Sequence, residues 1–247
     1  MKSNPHSVAS PLVGDDRAPP PPRPPLLKPQ ASSLKPSACY LSPFTPDFAP
    51  LVASWVRTAQ ELTWLAPGTP PPVTAEKVAA WGEDRKNRYL FWANSPSPYE
   101  GEGRGGVSSP SPTRAGVKAD LPAGYAELNE IPNQPAHLWI GHFLIDPSRR
   151  GRSLGVRFAQ ALLARAFVEL AAREVVLVVF PDNKKAIRCY ERAGMLQSGH
   201  ERKFFKATNA EHQFLRMAMT RTRFHRLAAS GRIEGRPLPL CSITPRG

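Results

Sequence analysis

Cysteine is scarce in this chain of 247 residues, and its three copies, Cys39, Cys189 and Cys241, are scattered without metal-ligand spacing. That pattern excludes a disulfide framework, gives no reason to expect a metal, and suits a reducing cytoplasm. Long apolar runs are missing too. No stretch approaches the roughly 20 residues needed to span a bilayer, so no membrane association is expected. Met1–Asp16 has no apolar core, so a secretory signal is not expected. Acidic residues are the minority charge: 20 Asp and Glu stand against 33 Lys and Arg, a net charge of +13. Such an excess fits either an acidic or nucleic-acid partner or a phosphorylated ligand. The basic residues are spread along the chain and do not alternate with aromatics as a stacking platform would, which disfavours nucleic acid. Long-range repulsion disfavours polycationic substrates as well, unless their pocket is itself acidic.

What the chain has in excess is proline, 29 residues, and it is clustered. Residues 1–37, with Pro19-Pro20-Pro21-Pro22-Arg23-Pro24-Pro25, read as a disordered tail of extended polyproline character. Residues 94–118 repeat Ser-Pro pairs around a glycine-rich centre and read as a low-complexity insertion in a hairpin connection. Residues 223–247 read as a weakly ordered basic tail. One domain, residues 38–222, is left between them.

Within it, Cys39-Tyr40-Leu41 reads as a short strand, and Phe48 to Leu65 has apolar residues at helical spacing. A second helix is expected over Ala75 to Trp81. Strands are expected at Arg88–Ala93, Gly124–Ile131 and Leu138–Ile145, and a long helix runs from about Leu154 to Ala172. Glu174–Phe180 is a continuous apolar strand, as in a sheet covered on both faces. Pro181-Asp182-Asn183 opens another helix, Gly194 closes it, and two strands follow, about His200–Lys206 and Phe214–Thr220. The order is strand, two helices, three strands, helix, strand, helix, two strands. The fold class is α/β, in the α+β sense of a mixed sheet with helices on both faces.

The most informative stretch is Asp146-Pro-Ser-Arg-Arg-Gly-Arg-Ser-Leu-Gly155, between a strand and a long helix. The first amides of a helix lack internal partners, and the helix dipole favours an anion there. Arg149, Arg150 and Arg152 add full positive charge. The arrangement is a phosphate cradle, and neither Lys-Ser/Thr nor a dinucleotide fingerprint accompanies it. A second segment, Pro181 to Met195, places Asn183 and Tyr190 seven residues apart, on one face of a helix.

These two segments, in this order, resemble the GNAT superfamily of N-acetyltransferases. The family's turn, Arg/Gln-x-x-Gly-x-Gly/Ala, reads here Arg150-Gly151-Arg152-Ser153-Leu154-Gly155, with Ser153 in place of the middle glycine. Its later motif, Asn-x-x-Ala-x-x-x-Tyr-Glu-x-x-Gly-Phe, falls on Asn183, Ala186, Tyr190 and Gly194, with Met195 at the aromatic position. The resemblance implies a GNAT-like fold of six to seven strands. It implies that residues 150–155, with the amide of Val156, hold the pyrophosphate of acetyl-CoA. The backbone of Phe143, Leu144 and Ile145 would pair with the pantetheine arm, Asn183 would face it, and Tyr190 would protonate the departing thiolate. The implied activity is direct acetyl transfer to a primary amine through a tetrahedral intermediate, the amine being a small molecule or a protein N-terminus. The base that takes the amine's proton is open: Glu127 is the first candidate and His142 the alternative, because strand parity leaves the substrate-facing side undecided. The alternative function is a non-catalytic GNAT-like module binding nucleic acid or an acidic partner.

Overall fold

The computed structural model describes residues 39–82, 87–93 and 121–242. The proline-rich segment 1–37 and the insertion 94–118 lie outside the described residues. A seven-stranded mixed sheet is built from β1 (Cys39–Pro43), β2 (Arg88–Ala93), β3 (Gly124–Ile131), β4 (Gln134–Ile145), β5 (Glu174–Val179), β6 (Leu196–Phe205) and β7 (Ala210–Thr220). The strand order is β1-β2-β3-β4-β5-β7-β6. Every neighbouring pair is antiparallel except β4 and β5. That parallel pair is joined by α4 (Leu154–Ala164), the crossover such a connection requires.

Two hydrophobic cores cover the two faces. One packs α4, α5 (Lys184–Arg192) and α6 (Arg221–Ala229) on the sheet through Phe158, Leu162, Ile187, Phe224 and strand residues such as Leu138 and Ile140. The other packs α1 (Ala49–Ser54), α2 (Ala59–Leu65) and α3 (Ala75–Ala80) on it through Val52, Leu62, Val78, Tyr125 and Leu144. Among the described residues no helix is long and apolar enough to cross a membrane.

Two features differ from the sequence reading. The helix expected over Phe48–Leu65 is two, α1 and α2. Thr58 caps the second by accepting from the Glu61 amide at 3.1 Å, while the Glu61 carboxylate accepts from the Arg57 amide at 2.8 Å. These two contacts give the chain a new helix start inside an unbroken apolar period. The segment after residue 222, expected as a weakly ordered tail, begins as α6 and lies on the core. Phe224 is fully buried, Leu227 nearly so, and the chain continues to a bridge between Leu240 and Leu41. The arginines that suggested a solvated tail are tied down: Arg221 donates to the Ala172 carbonyl and Arg223 to that of Gly194. Thr220 caps this helix by accepting from the Arg223 amide at 3.3 Å. Thr220→Ala should therefore destabilise the whole protein by about 1 kcal/mol. A thermal melt would fall by about 2–4 °C; an unchanged melt would mean α6 frays without consequence.

Candidate active site

Strands β4 and β5 begin as neighbours and then part. Their register runs only through His137–Glu174, Leu138–Val175 and Trp139–Val176. From Ile140 and Leu177 onward the facing edges have no ladder between them, and a cleft of about 700 Å³ opens there. Buried backbone amides and carbonyls without partners are costly, so an edge exposed in a cleft is a template for a ligand that carries amides of its own. Phe143, Leu144 and Ile145 lie along this edge of the cleft.

One end of the cleft is the turn into α4. Asp146 accepts from the Ser148 amide at 2.9 Å and opens a short 3-10 turn, Pro147–Arg149. Gly151 (φ 82°) and Ser153 (φ 58°) then take left-handed conformations that swing the chain into the helix. A Cβ on Gly151 would meet open space, so that position needs glycine for its backbone angle alone. At Gly155 the reason is contact: a Cβ would sit 3.0 Å from the Cys189 sulfur, where α4 and α5 approach. Leu154 and Val156 also line the cleft, so the first amides of an 11-residue helix lie at its end.

Arginine supplies the charge unevenly. Arg150 forms an ion pair with Glu61 of α2 and donates through Nε to the Ile145 carbonyl at 3.1 Å. Its guanidinium thus pins the turn to the strand and to α2. Arg152 is exposed and stands outside the cleft lining, whereas Lys185, Arg188 and Arg192 of α5 are part of it. Ser153 is strained where a glycine would not be, since a side chain in the left-handed region costs about 1–2 kcal/mol. Ser153→Gly should raise stability by about 1 kcal/mol. Denaturant unfolding measures it, and a loss of stability would show that the hydroxyl's contact with Arg192, at 3.3 Å, outweighs the backbone strain.

The other wall is α5. Asn183 caps it, its Oδ1 accepting from the Ala186 amide at 3.2 Å, and also lines the cleft. Tyr190 lies two turns on, packed edge-to-face on Phe143 with ring centroids 5.6 Å apart and only 7% exposed. Burial, with the neighbouring Cys189, pushes the Tyr190 phenol well above its ordinary range, so it stays protonated. Burial likewise raises the Cys189 thiol, to about 11, which leaves it a packing residue rather than a nucleophile.

Where β4 leaves β5 it also carries a bulge against β3. The register slips between Tyr125, opposite Leu144, and Glu127, opposite Gly141, so β4 has one extra residue there. His142, at φ 42°, is that irregularity. Strict alternation from Leu138 and Ile140 would send His142 toward α4. The bulge instead turns it to the α1–α3 side, onto Glu127. His142 Nδ1 is 2.7 Å from Glu127 Oε1, and its ring stacks on Trp81 at 4.5 Å. Glu127 is 1% exposed. Tyr125 donates to its Oε1 at 2.9 Å and Asn129 to its Oε2 at 3.0 Å. Burial pushes the Glu127 carboxyl up, but the hydrogen bond and charge of His142, with Asn129 and Tyr125, outweigh it and hold the group below the ordinary carboxylate range. Gly82, in a left-handed turn, lies against this carboxylate, where a Cβ would be 3.0 Å away.

The two candidate bases are therefore one unit. Glu127 is engaged on both oxygens and buried beneath His142. The imidazole is half-buried and borders both the cleft and an adjoining pocket of about 450 Å³. The pairing was not evident from spacing, but Gly141 inside an apolar strand is a recognised mark of a bulge. Of the other residues singled out in the sequence, Phe143, Leu144, Ile145, Arg150, Gly151, Ser153, Leu154, Gly155, Val156, Asn183 and Tyr190 come together around one cleft; Arg152 does not. Trp64, Trp81 and Glu61 were missed: they belong to the helices whose sequences match no motif.

Comparison with known proteins gives a consistent picture. Residues 84–195 match the model of the acetyltransferase (GNAT) family. Over 67 residues the chain is 30% identical to a spermine/spermidine N(1)-acetyltransferase of Bacillus subtilis, an alignment covering 27% of this chain and 44% of that protein. The match thus spans less than half the length of that relative. In fold, the chain is similar to an aminoglycoside acetyltransferase, AAC(6')-Ib, solved with coenzyme A and kanamycin: TM-score 0.52, 20% identity, covering 76% of this chain and 98% of the other. It is likewise similar to the Vibrio cholerae spermidine N-acetyltransferase solved with CoA and spermine: TM-score 0.54, 15% identity, with 75% and 96% covered. Both structural likenesses are of fold.

Proposed function

We propose, from the match of residues 84–195 to the acetyltransferase (GNAT) family model and from the site described above, that the chain transfers the acetyl group of acetyl-CoA to a primary amine. The observation that carries this reading is the junction of two cavities at His142. The cleft between the parted strands and the pocket beneath α2 and α3 share Ile140, His142 and Val178 on the sheet. A donor in the first and an amine in the second would meet beside an imidazole.

The cleft fits the coenzyme in the chemistry of its walls. The unladdered edge of β4 offers main-chain groups to an amide-bearing arm. The left-handed turn at Gly151 and Ser153 presents the first amides of α4 to a diphosphate, with Lys185, Arg188 and Arg192 around it. In the reaction, His142 takes the proton that the amine loses as it attacks the thioester carbonyl. Glu127, fixed by Tyr125 and Asn129, holds the imidazole by Nδ1 and stabilises the imidazolium, acting as a positioning residue. Amides of the open β4 edge stabilise the oxyanion of the tetrahedral intermediate. Tyr190 donates a hydrogen bond to the sulfur as the C–S bond breaks, and coenzyme A leaves with the proton the amine gave up. Cys39, Cys189 and Cys241 are unbonded, which supports a reducing, cytoplasmic setting.

The test is release of free coenzyme A thiol from acetyl-CoA over a panel of primary amines, with mass spectrometry of the acetylated product. Amine-dependent release supports the reading. Retention on DNA that weakens with salt, with no thiol released, would favour the non-catalytic alternative.

A further inference from the structure

The pocket beyond His142 differs in chemistry from what the acceptors of its structural neighbours would call for. Those proteins were solved with spermine and kanamycin, amines that carry several positive charges. A buried ammonium needs a compensating partner, a carboxylate being the strongest, and each further charge adds the same need. Among the described residues, the pocket's lining holds one carboxylate, Glu127, and its oxygens are taken by Tyr125, His142 and Asn129. Acids on neighbouring elements have partners of their own. Glu61 pairs with Arg150, Asp182 accepts from the Trp64 indole at 3.1 Å, and Glu201 pairs with Lys203 at 3.0 Å. Lys203 itself lines the pocket, so the pair it forms with Glu201 leaves no free negative charge at that wall.

Much of the remaining wall is aromatic. Trp64, Trp81, Trp139, Phe205 and Phe214 surround the space, with Leu65 beside them. Phe205 and Phe214 belong to a cluster that also includes Phe180 and His212, with Phe180 and Phe214 edge-to-face at 4.6 Å. Phe205 is backed by the loop after α2: a Cβ on Gly68 would lie 3.0 Å from its ring, and Thr208 donates to the Pro67 carbonyl at 3.1 Å. The wall is thus braced from both sides. Rings so placed favour a flat apolar body by stacking, and can accept one ammonium over a face as it enters.

We propose that this pocket takes a monoamine carried on an aromatic or flat apolar body, an arylalkylamine in chemical class, and discriminates against polyamines and aminoglycosides. The proposal rests on the acetyl-transfer reading for its consequence, though not for its binding. The amino group reaches His142 at the pocket's inner end, and the ring lies toward Phe205 and Phe214. The charge of +13 works in the same direction, repelling polycations before they arrive.

The test uses the full chain with 2-phenylethylamine and tryptamine against spermine and kanamycin. Two readouts are taken: thiol release from acetyl-CoA, and calorimetric affinity in the presence of coenzyme A. Expected is a kcat/KM for the arylalkylamines at least about tenfold above that for either polycation, with binding in the same order. Equal or better turnover or binding of spermine or kanamycin overturns the proposal. If none of the four amines releases thiol, the transfer reading is in difficulty, and the binding order alone decides the pocket. Phe205→Asp should move the ratio toward spermine by about tenfold, whereas Phe205→Leu should weaken the arylalkylamines without helping spermine. Identical ratios for parent, Phe205→Asp and Phe205→Leu would also sink it.

Discussion

Replacing His142 by asparagine should slow acetyl transfer by about 10²–10⁴-fold, the range that a positioned general base contributes. Asparagine suits the test for two reasons. It tolerates the positive φ of 42° at this bulge better than most residues. It also keeps a donor near the Glu127 carboxylate, so a buried charge is not left unpaired. Affinity for acetyl-CoA should change little, because on the proposed reading the turn before α4 and the strand edge hold the coenzyme. A wild-type rate for the variant would remove His142 from the chemistry. Glu127→Gln should give a smaller loss, since glutamine keeps a hydrogen-bond partner for the imidazole but not the carboxylate charge that stabilises its protonated form. A positioning Glu127 lowers kcat and leaves acetyl-CoA affinity intact, whereas a merely structural one would lower both together. The same variant has a stability signature. The folded-state carboxyl sits below its ordinary 4.5, so its contribution is full above that pH and is lost as the pH falls through the folded value. The parent should therefore lose stability on acidification below about pH 4.5 in a way that Glu127→Gln does not.

Tyr190→Phe carries the second large effect. Phenylalanine keeps the edge-to-face packing on Phe143 and the fill of the core, so the fold and coenzyme affinity should hold. What is lost is the hydroxyl that, on the proposed mechanism, meets the departing sulfur. Burial holds this phenol protonated well beyond ordinary pH, which makes it a dependable donor and a reluctant acid. On the proposed mechanism its role is a hydrogen bond to the developing thiolate, with the final proton coming from the amine by way of His142. The expected fall in turnover is about 10²-fold or more, and ionisation of Tyr190 should add no basic limb to the pH–rate profile. Thiol release at the parental rate would exclude the tyrosine from the departure step.

Much of this architecture was legible before any coordinates. The strand–turn–helix at Asp146–Gly155 and the segment Asn183–Gly194 carry backbone requirements that only certain residues meet, and the structure puts both on one cleft. The cap at Thr58 and Glu61 was readable too, but it sits inside an uninterrupted apolar period, and period is the stronger signal by eye. The helix after Thr220 was obscured by its arginines, whose stems lie on the protein while their heads reach carbonyls. The Glu127–His142 pair was hardest to see. Alternation along β4 puts the two on opposite faces, and a single extra residue reverses that answer. Bulges are set by how two strands pair, which no window of one strand contains. The aromatic pocket is harder still, because its walls come from α2, α3, β4, β6 and β7, and no local pattern ties Trp64 to Phe205.

The parting of β4 from β5 after Trp139 has a thermodynamic side. A sheet that stops zipping midway forgoes the pairing that the rest of its length enjoys. On the proposed reading the arm of the coenzyme lies where the absent rungs would be and completes the ladder with groups that are not protein. Donor occupancy and resistance to unfolding are then a single coupled quantity, and in a cell the conformational robustness of this chain rises and falls with the supply of its acyl donor.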